Sequence, residues 1–175
     1  LRKTNIVPWT AEWEISYQNE AEILRDILND ELIDIYHIGS TSVKSIGFAK
    51  PIIDILIVVN NIELIDQYNV KLGLLGYEPR GENGISGRRY FPKGKENRTH
   101  HVHIFQVGNE NIKTHLDFKA YLIEHPSVAK SYGDLKIKLA VQFPDNTKEY
   151  QLGKEQFVNE LVRKVKNWSS KRTSY

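Results

Sequence analysis

Asp54 is a lone acid in the apolar run Ile52-Ile53-Asp54-Ile55-Leu56-Ile57-Val58-Val59. A run hydrophobic on both faces suits a strand covered by layers on each side. Side chains alternate along a strand, so Asp54 shares a face with Ile52, Leu56 and Val58. A buried carboxylate without a partner is costly, and Asp54 therefore needs a cation, a metal or N–H donors. Lys50 is near enough in sequence to serve as a purely structural partner. Upstream lies His37-Ile38-Gly39-Ser40-Thr41-Ser42, a strand-like segment running into small and hydroxyl residues. Glycine lets backbone N–H groups approach an anion, and three hydroxyls add donors. Gly39, Ser40, Thr41 and Ser42 are thus candidate phosphate ligands, with Lys50 as a neighbouring cation. A strand-to-helix turn with ordinary hydroxyl caps has the same composition. His37 is placed to bond a phosphate, to orient Asp54, or to pack at a strand end.

A second constellation lies in Thr99–Gln106, where alternation puts His101, His103 and Phe105 on one face and His100, Val102 and Ile104 on the other. Two histidines at this spacing can bind one metal, act as a proton-transfer base or contact a phosphate, or one can be a satisfied sheet residue and the other exposed. Between the two constellations, Arg80, Arg88, Arg89, Lys93, Lys95 and Arg98 crowd a glycine-rich segment whose only acids are Glu82 and Glu96. The planar guanidinium can give a phosphate two parallel hydrogen bonds, which makes Arg88 and Arg89 candidates against the alternative of a solvated hairpin rim.

Taken together, the blocks His37-Ile-Gly-Ser-Thr-Ser, Ala49-Lys50-Pro51-Ile-Ile-Asp54-Ile, Gly76-Tyr77, Arg80-Gly-Glu82-Asn83-Gly84-Ile, Gly87-Arg88-Arg89-Tyr90-Phe91 and Arg98-Thr99-His100-His101-Val102-His103 resemble the GrpB family. The likeness runs from Ile6 to about Val165. It implies a nucleotidyltransferase-like fold related to the DNA polymerase beta superfamily, whose members pair a Gly-Ser turn with acids on the following strand. Gly39-Ser40 and Asp54 match that pattern in order. Leu56 stands where active superfamily members carry a second acid, and Lys44-Ser45 where the GrpB family usually has Pro-Gly. With the second acid missing, His101 and His103 are expected to join Asp54 around a divalent metal, zinc or manganese by donor type rather than magnesium. Glu82 is a further stand-in for the absent acid. His103 and His37 join Asp54 as candidate catalytic groups. Relatives fused to dephospho-coenzyme A kinase point to a nucleotide-related role.

The positioning elements alternate: helix near Ala11–Asn29, strands near Ile33–Ile38 and Ile52–Val59, helix Ile62–Leu75, short strands Tyr77–Arg80 and Arg88–Phe91, strand Thr99–Gln106, then helices Ile112–Glu124, Ser127–Gln142 and Lys148–Trp168. Ser127 is the candidate cap of the second of these three. That order predicts an α+β fold with α/β-type alternation: a mixed sheet flanked by helices, with a helical C-terminal part. Lys136 and Lys138 read as a solvated helix face, and Ser169–Tyr175 as a frayed tail.

With 175 residues, 40% hydrophobic and 26% charged, the chain suits one domain with a real core. The absence of cysteine excludes disulfides and cysteine–zinc sites and fits a reducing cytoplasm. No apolar run approaches the roughly 20 residues that span a bilayer. A net charge of +2 and the lack of a recognised motif argue against nucleic acid as partner. Two functions remain: a metal-assisted nucleotidyl or phosphoryl transferase acting on a nucleotide, or a non-catalytic module binding a nucleotide, a coenzyme A-like molecule or another phosphate-bearing small molecule.

Overall fold

The structure is a computed structural model that describes residues 3–172. In chain order its elements are β1 (Val7–Pro8), α1 (Glu12–Leu28), β2 (Leu32–Ile38), β3 (Phe48–Ala49), β4 (Ile53–Val59), α2 (Asn69–Leu74), β5 (Arg88–Lys93), β6 (His100–Gln106), α3 (Glu110–Glu124), α4 (Pro126–Gln142) and α5 (Thr147–Arg172). Tight 3₁₀ turns at Ser40–Ser42 and Lys44–Ile46 join β2 to the small β1–β3 ribbon. The main sheet has the order β2-β4-β6-β5: β4 pairs antiparallel with β2 and parallel with β6, and β5 closes the far side antiparallel to β6. The fold is α+β with a mixed sheet, as the sequence predicts.

Strand parity divides the core. Ile53, Ile55, Ile57 and Val59 of β4 join Val102 and Ile104 of β6 beneath α1 and the segment leading into α2. Leu56, Ile38 and Phe105 pack on the other face with Ile112 and Leu116 of α3. The three C-terminal helices have their own core, in which Tyr121, Leu122, Ala129, Tyr132, Leu161 and Val165 enclose Val43 and Ile46 of the β2–β3 connection. The helical layer therefore sits against the Gly-Ser turn.

Several local expectations are corrected. Residues 62–68 wind as 3₁₀ before α2 rather than as one helix: the Ile62 N–H is bonded to the Gln106 side chain and Asp66 is held by Arg89, so the segment follows the sheet edge. Tyr77–Arg80 is not a strand. Glu78 and Arg80 donate to Pro92 and Tyr90 of β5, but only Tyr77 forms a ladder bridge, with Lys93. Pro126 is the first residue of α4, so Ser127 lies inside the helix and does not cap it. Helix α5 continues through Ser169 to Arg172, fixed by a hydrogen bond from the Ser169 hydroxyl to Asp117 at 2.7 Å and by the Arg172–Glu124 pair at 2.9 Å. The last three residues of the expected frayed tail lie outside those described.

Candidate functional site

The Gly-Ser turn meets the Asp54 strand because β2 and β4 are paired with Ile38 opposite Asp54. Gly39 follows with φ +74° and ψ −175°, a conformation essentially restricted to glycine. A Cβ on Gly39 would stand 2.6 Å from Asp54 Oδ2, so the turn can lie against the carboxylate only because the side chain is missing. On the other flank the parallel register sets Asp54 opposite His101 and Leu56 opposite His103. His101 Nδ1 and His103 Nε2 approach Asp54 Oδ1 at 3.3 and 3.4 Å. Asp54 keeps 26% of its side chain exposed, so it faces an opening rather than a sealed core. Burial would raise its carboxyl pKa, but hydrogen bonds and attraction from the two imidazoles hold it well below the usual carboxylate range.

Arg88 fixes the protonation pattern of this cluster. It is buried, with Nε and Nη2 bonded to the carbonyls of Glu82 and Asn83 and Nη1 3.3 Å from His103 Nδ1. A guanidinium only donates, so Nδ1 of His103 accepts and the hydrogen is on Nε2, directed at Asp54. Both nitrogens of His103 are then occupied, and binding a metal through Nε2 would require breaking this arrangement. Among the described residues no group of three or more His, Cys, Asp and Glu side chains is placed to hold a metal ion. The Asp54, His101 and His103 set expected for zinc or manganese therefore does not fit as arranged. The Glu82 carboxylate accepts from the Gly87 N–H at 2.6 Å, within its own loop.

Two other expected ligands point away. Arg89 alternates with Arg88, lies opposite Ile104 on the far face and forms an ion pair with Asp66 at 2.7 Å. His37 lies opposite Ile55 on the α1 face, stacks on Tyr17 at 4.8 Å and bonds Thr41 Oγ1 at 2.9 Å. Burial, with Lys119 nearby, lowers its pKa to about 4, so it is a neutral residue supporting the turn rather than a catalytic group beside Asp54. Thr41 is buried by the same contact, and the Ser42 hydroxyl donates to the Gly39 carbonyl at 2.6 Å. Of the three hydroxyls, Ser40 is the one aimed at the helical layer.

The residues missed in the sequence come from that layer. Gly133 of α4 packs directly on the Ile46 carbonyl, where a Cβ would fall 1.7 Å from the oxygen. This contact seats α4 so that Lys136, one turn on, hydrogen-bonds Ser40 Oγ through Nζ. Lys136 is only 4% exposed and lies over the Tyr132 ring at 4.4 Å. Burial, with Lys154 and Lys50 nearby and Asp54 opposing them, lowers its pKa to about 7. Lys154 of α5 lies over Tyr150 at 5.2 Å, and burial and Lys50 lower it to about 8. Lys50 lies over the same ring at 4.9 Å. Neither Lys136 nor Lys154 makes an ion pair among the described residues. Tyr132 and Lys154 also line a cavity of about 540 Å³ beside α5. A signal was available: Ala129, Tyr132, Gly133, Lys136 and Leu139 form one helical stripe, all buried, so Lys136 occupies a core-facing position.

The GrpB protein family model matches residues 3–164. The chain belongs to the GrpB family. It is 43% identical to UPF0157 protein YqkA of Bacillus subtilis over 173 residues, covering 99% of this chain and 50% of that protein, so it spans about half the length of that relative. Glutamate-rich protein GrpB of Alkalihalophilus pseudofirmus is 31% identical over 165 residues, covering 91% of this chain and 94% of that one. Among solved structures, conserved protein GrpB from Enterococcus faecalis superposes with a TM-score of 0.88 at 40% identity, covering 94% of this chain and 99% of that chain. Cid1 poly(U) polymerase superposes with a TM-score of 0.52 at 11% identity, covering 77% of this chain and 44% of that chain. At that identity the likeness shows a shared nucleotidyltransferase-type fold. No helix among the described residues is long and apolar enough to cross a membrane.

Proposed function

We propose that this GrpB-family protein binds the polyphosphate of a nucleotide in the corner between Gly39-Ser40 and helices α4 and α5, and transfers the nucleotidyl group. One observation carries the reading: Lys136 is buried with its ammonium on Ser40, and Lys154 and Lys50 flank it, with Asp54 the anion that opposes them. Lys136 and Lys154 make no ion pair among the described residues, such buried cations are costly, and an incoming phosphate chain would supply negative charge and hydrogen-bond acceptors to them. The cavity of about 540 Å³ beside α5 shares Tyr132 and Lys154 with the residues around this corner. In this scheme Asp54, His101 and His103 form a hydrogen-bonded group beside the phosphates, and the protein residues alone carry the binding.

A second reading shares the ligand and drops the reaction. Leu56 is fully buried in the apolar cluster with Ile38 and Phe105, so the second acid of the superfamily pattern is replaced by a packing residue. A non-catalytic module for a nucleotide or coenzyme A-like phosphate would keep the corner and lose turnover. The test is a thermal-shift titration with ATP, GTP, CTP, UTP and coenzyme A, with and without divalent salts. At about 100 times Kd a bound ligand adds about 2.7 kcal/mol of stability. Lys136→Gln and Lys154→Gln should abolish that shift. No stabilisation by any of the five would end the polyphosphate reading, and stabilisation without pyrophosphate release would favour the module.

A further inference from the structure

The contact between Lys136 and Ser40 is more specific than a phosphate cradle requires. Thr41 and Ser42 spend their hydroxyls on His37 and on the Gly39 carbonyl. Ser40, half-buried at the mouth of the turn, instead meets an amine from a helix 96 residues away in sequence, and Tyr132 of the same helix lies beside it. Gly133 holds α4 close enough for this contact to form. An amine held on a serine hydroxyl beside an opening is the arrangement of a nucleophile with its base.

We propose that Ser40 is a nucleophile with Lys136 as its general base, and that the pair accepts a nucleotidyl group from a nucleoside triphosphate onto Ser40 Oγ. The step rests on the polyphosphate reading above. The Ser40 Oγ–Pα bond forms while the bond from Pα to the pyrophosphate oxygen breaks. Pyrophosphate leaves with the bonding pair, and the Oγ proton passes to Lys136 Nζ. Lys154 and Lys50 offset the charge of the departing phosphates. An amine titrating at about 7 is half neutral near neutral pH, as a base in this position must be. The groups that set its titration are Lys154, Lys50 and Asp54, with the Tyr132 hydroxyl in the same shell.

The test uses the full chain with ATP labelled at the α-phosphorus, followed by intact mass and peptide mapping. One AMP group is expected on the peptide containing Ser40, with a labelling rate that rises as pH passes upward through about 7. Ser40→Ala should abolish the adduct. Lys136→Arg, which keeps the charge but not the basic amine, should slow it by a factor on the order of 100 or more while ATP still shifts the melting temperature. If the longer arginine prevents folding, the wild-type pH profile decides: at saturating ATP, a labelling rate that does not rise between pH 6 and pH 8 overturns the base role. Wild-type protein that binds ATP without forming an adduct overturns the proposal, as does label that survives Ser40→Ala or a Lys136→Arg rate equal to wild type. Failure of ATP to bind sinks the polyphosphate reading instead. In that event an alkyl fluorophosphonate decides the pair, since Ser40 would displace fluoride and pass its proton to Lys136. An adduct on Ser40 that is lost in Lys136→Arg keeps the pair, and no adduct ends it.

Discussion

Gly39→Ala probes how closely the turn and the acid depend on each other. At φ +74° and ψ −175° a side chain costs about 1–3 kcal/mol in backbone strain alone. The new methyl would also stand 2.6 Å from Asp54 Oδ2, inside the 3.0 Å that real Cβ atoms respect, so the carboxylate must withdraw. Its other oxygen is shared with His101 and His103 at 3.3 and 3.4 Å, and any withdrawal stretches bonds that are already long. Losing hydrogen bonds to a charged group costs about 1.5–3 kcal/mol each, at the low end here because Asp54 is half-open. The total expected in urea denaturation is about 4–6 kcal/mol. Gly47→Ala is the control: its φ is +84° and nothing lies within 4 Å, so only the left-handed term of about 1–2 kcal/mol remains. Combining Gly39→Ala with Asp54→Ala should recover the contact part of the loss as a coupling energy. A Gly39→Ala cost no larger than that of Gly47→Ala, or a cycle without coupling to Asp54, would refute the packing of turn against acid.

Three further outcomes follow from the electrostatics and hydrogen bonding. Lys136 titrates at about 7 when folded and near 10.5 when unfolded, so the unfolded state holds more protons between those values. Unliganded stability should therefore rise with pH across that window, by a few kcal/mol at most, and Lys136→Met should flatten the slope. Phosphate binding should move oppositely, weakening as pH rises through about 7 to 8 while Lys136 and Lys154 lose their protons; isothermal titration at pH 6 and pH 9 checks the sign, and equal affinities would contradict it. Arg88→Met should free His103 Nδ1, so nitrogen-15 spectra should show the Nε2–H tautomer in the wild type and a mixture in the variant, and a wild-type Nδ1–H tautomer would overturn the arrangement.

Period-two alternation alone puts His101 and His103 on one face of their strand, but that this is also the face of Asp54 depends on the parallel register that sets Asp54 opposite His101. The same rule could have separated Arg88 from Arg89, which as neighbours in β5 cannot face one site. His37 was harder: its parity is legible only once Ile38 is known to pair with Asp54, and register is a property of two strands. Lys136 was readable from its stripe with Tyr132 and Gly133, but a lysine invites the assumption of a solvated face. The direction of the lysine toward Ser40 was not readable, since it depends on α4 seating on the Ile46 carbonyl. A donor count from sequence likewise says nothing about Arg88 meeting the second nitrogen of His103, which only the structure reveals.

The distance in sequence between Ser40 and Lys136 bears on how the molecule is made. A nascent chain emerging from the ribosome completes β2, β4 and β6 well before α4 and α5 exist. The acid, the hydroxyls and Lys50 are thus in place early, and Lys136 and Lys154 arrive with the last helices. On the polyphosphate reading proposed above, premature occupancy is disfavoured until synthesis is almost finished, and translation stopped before α5 would yield a sheet that lacks Lys154 and the wall of its cavity.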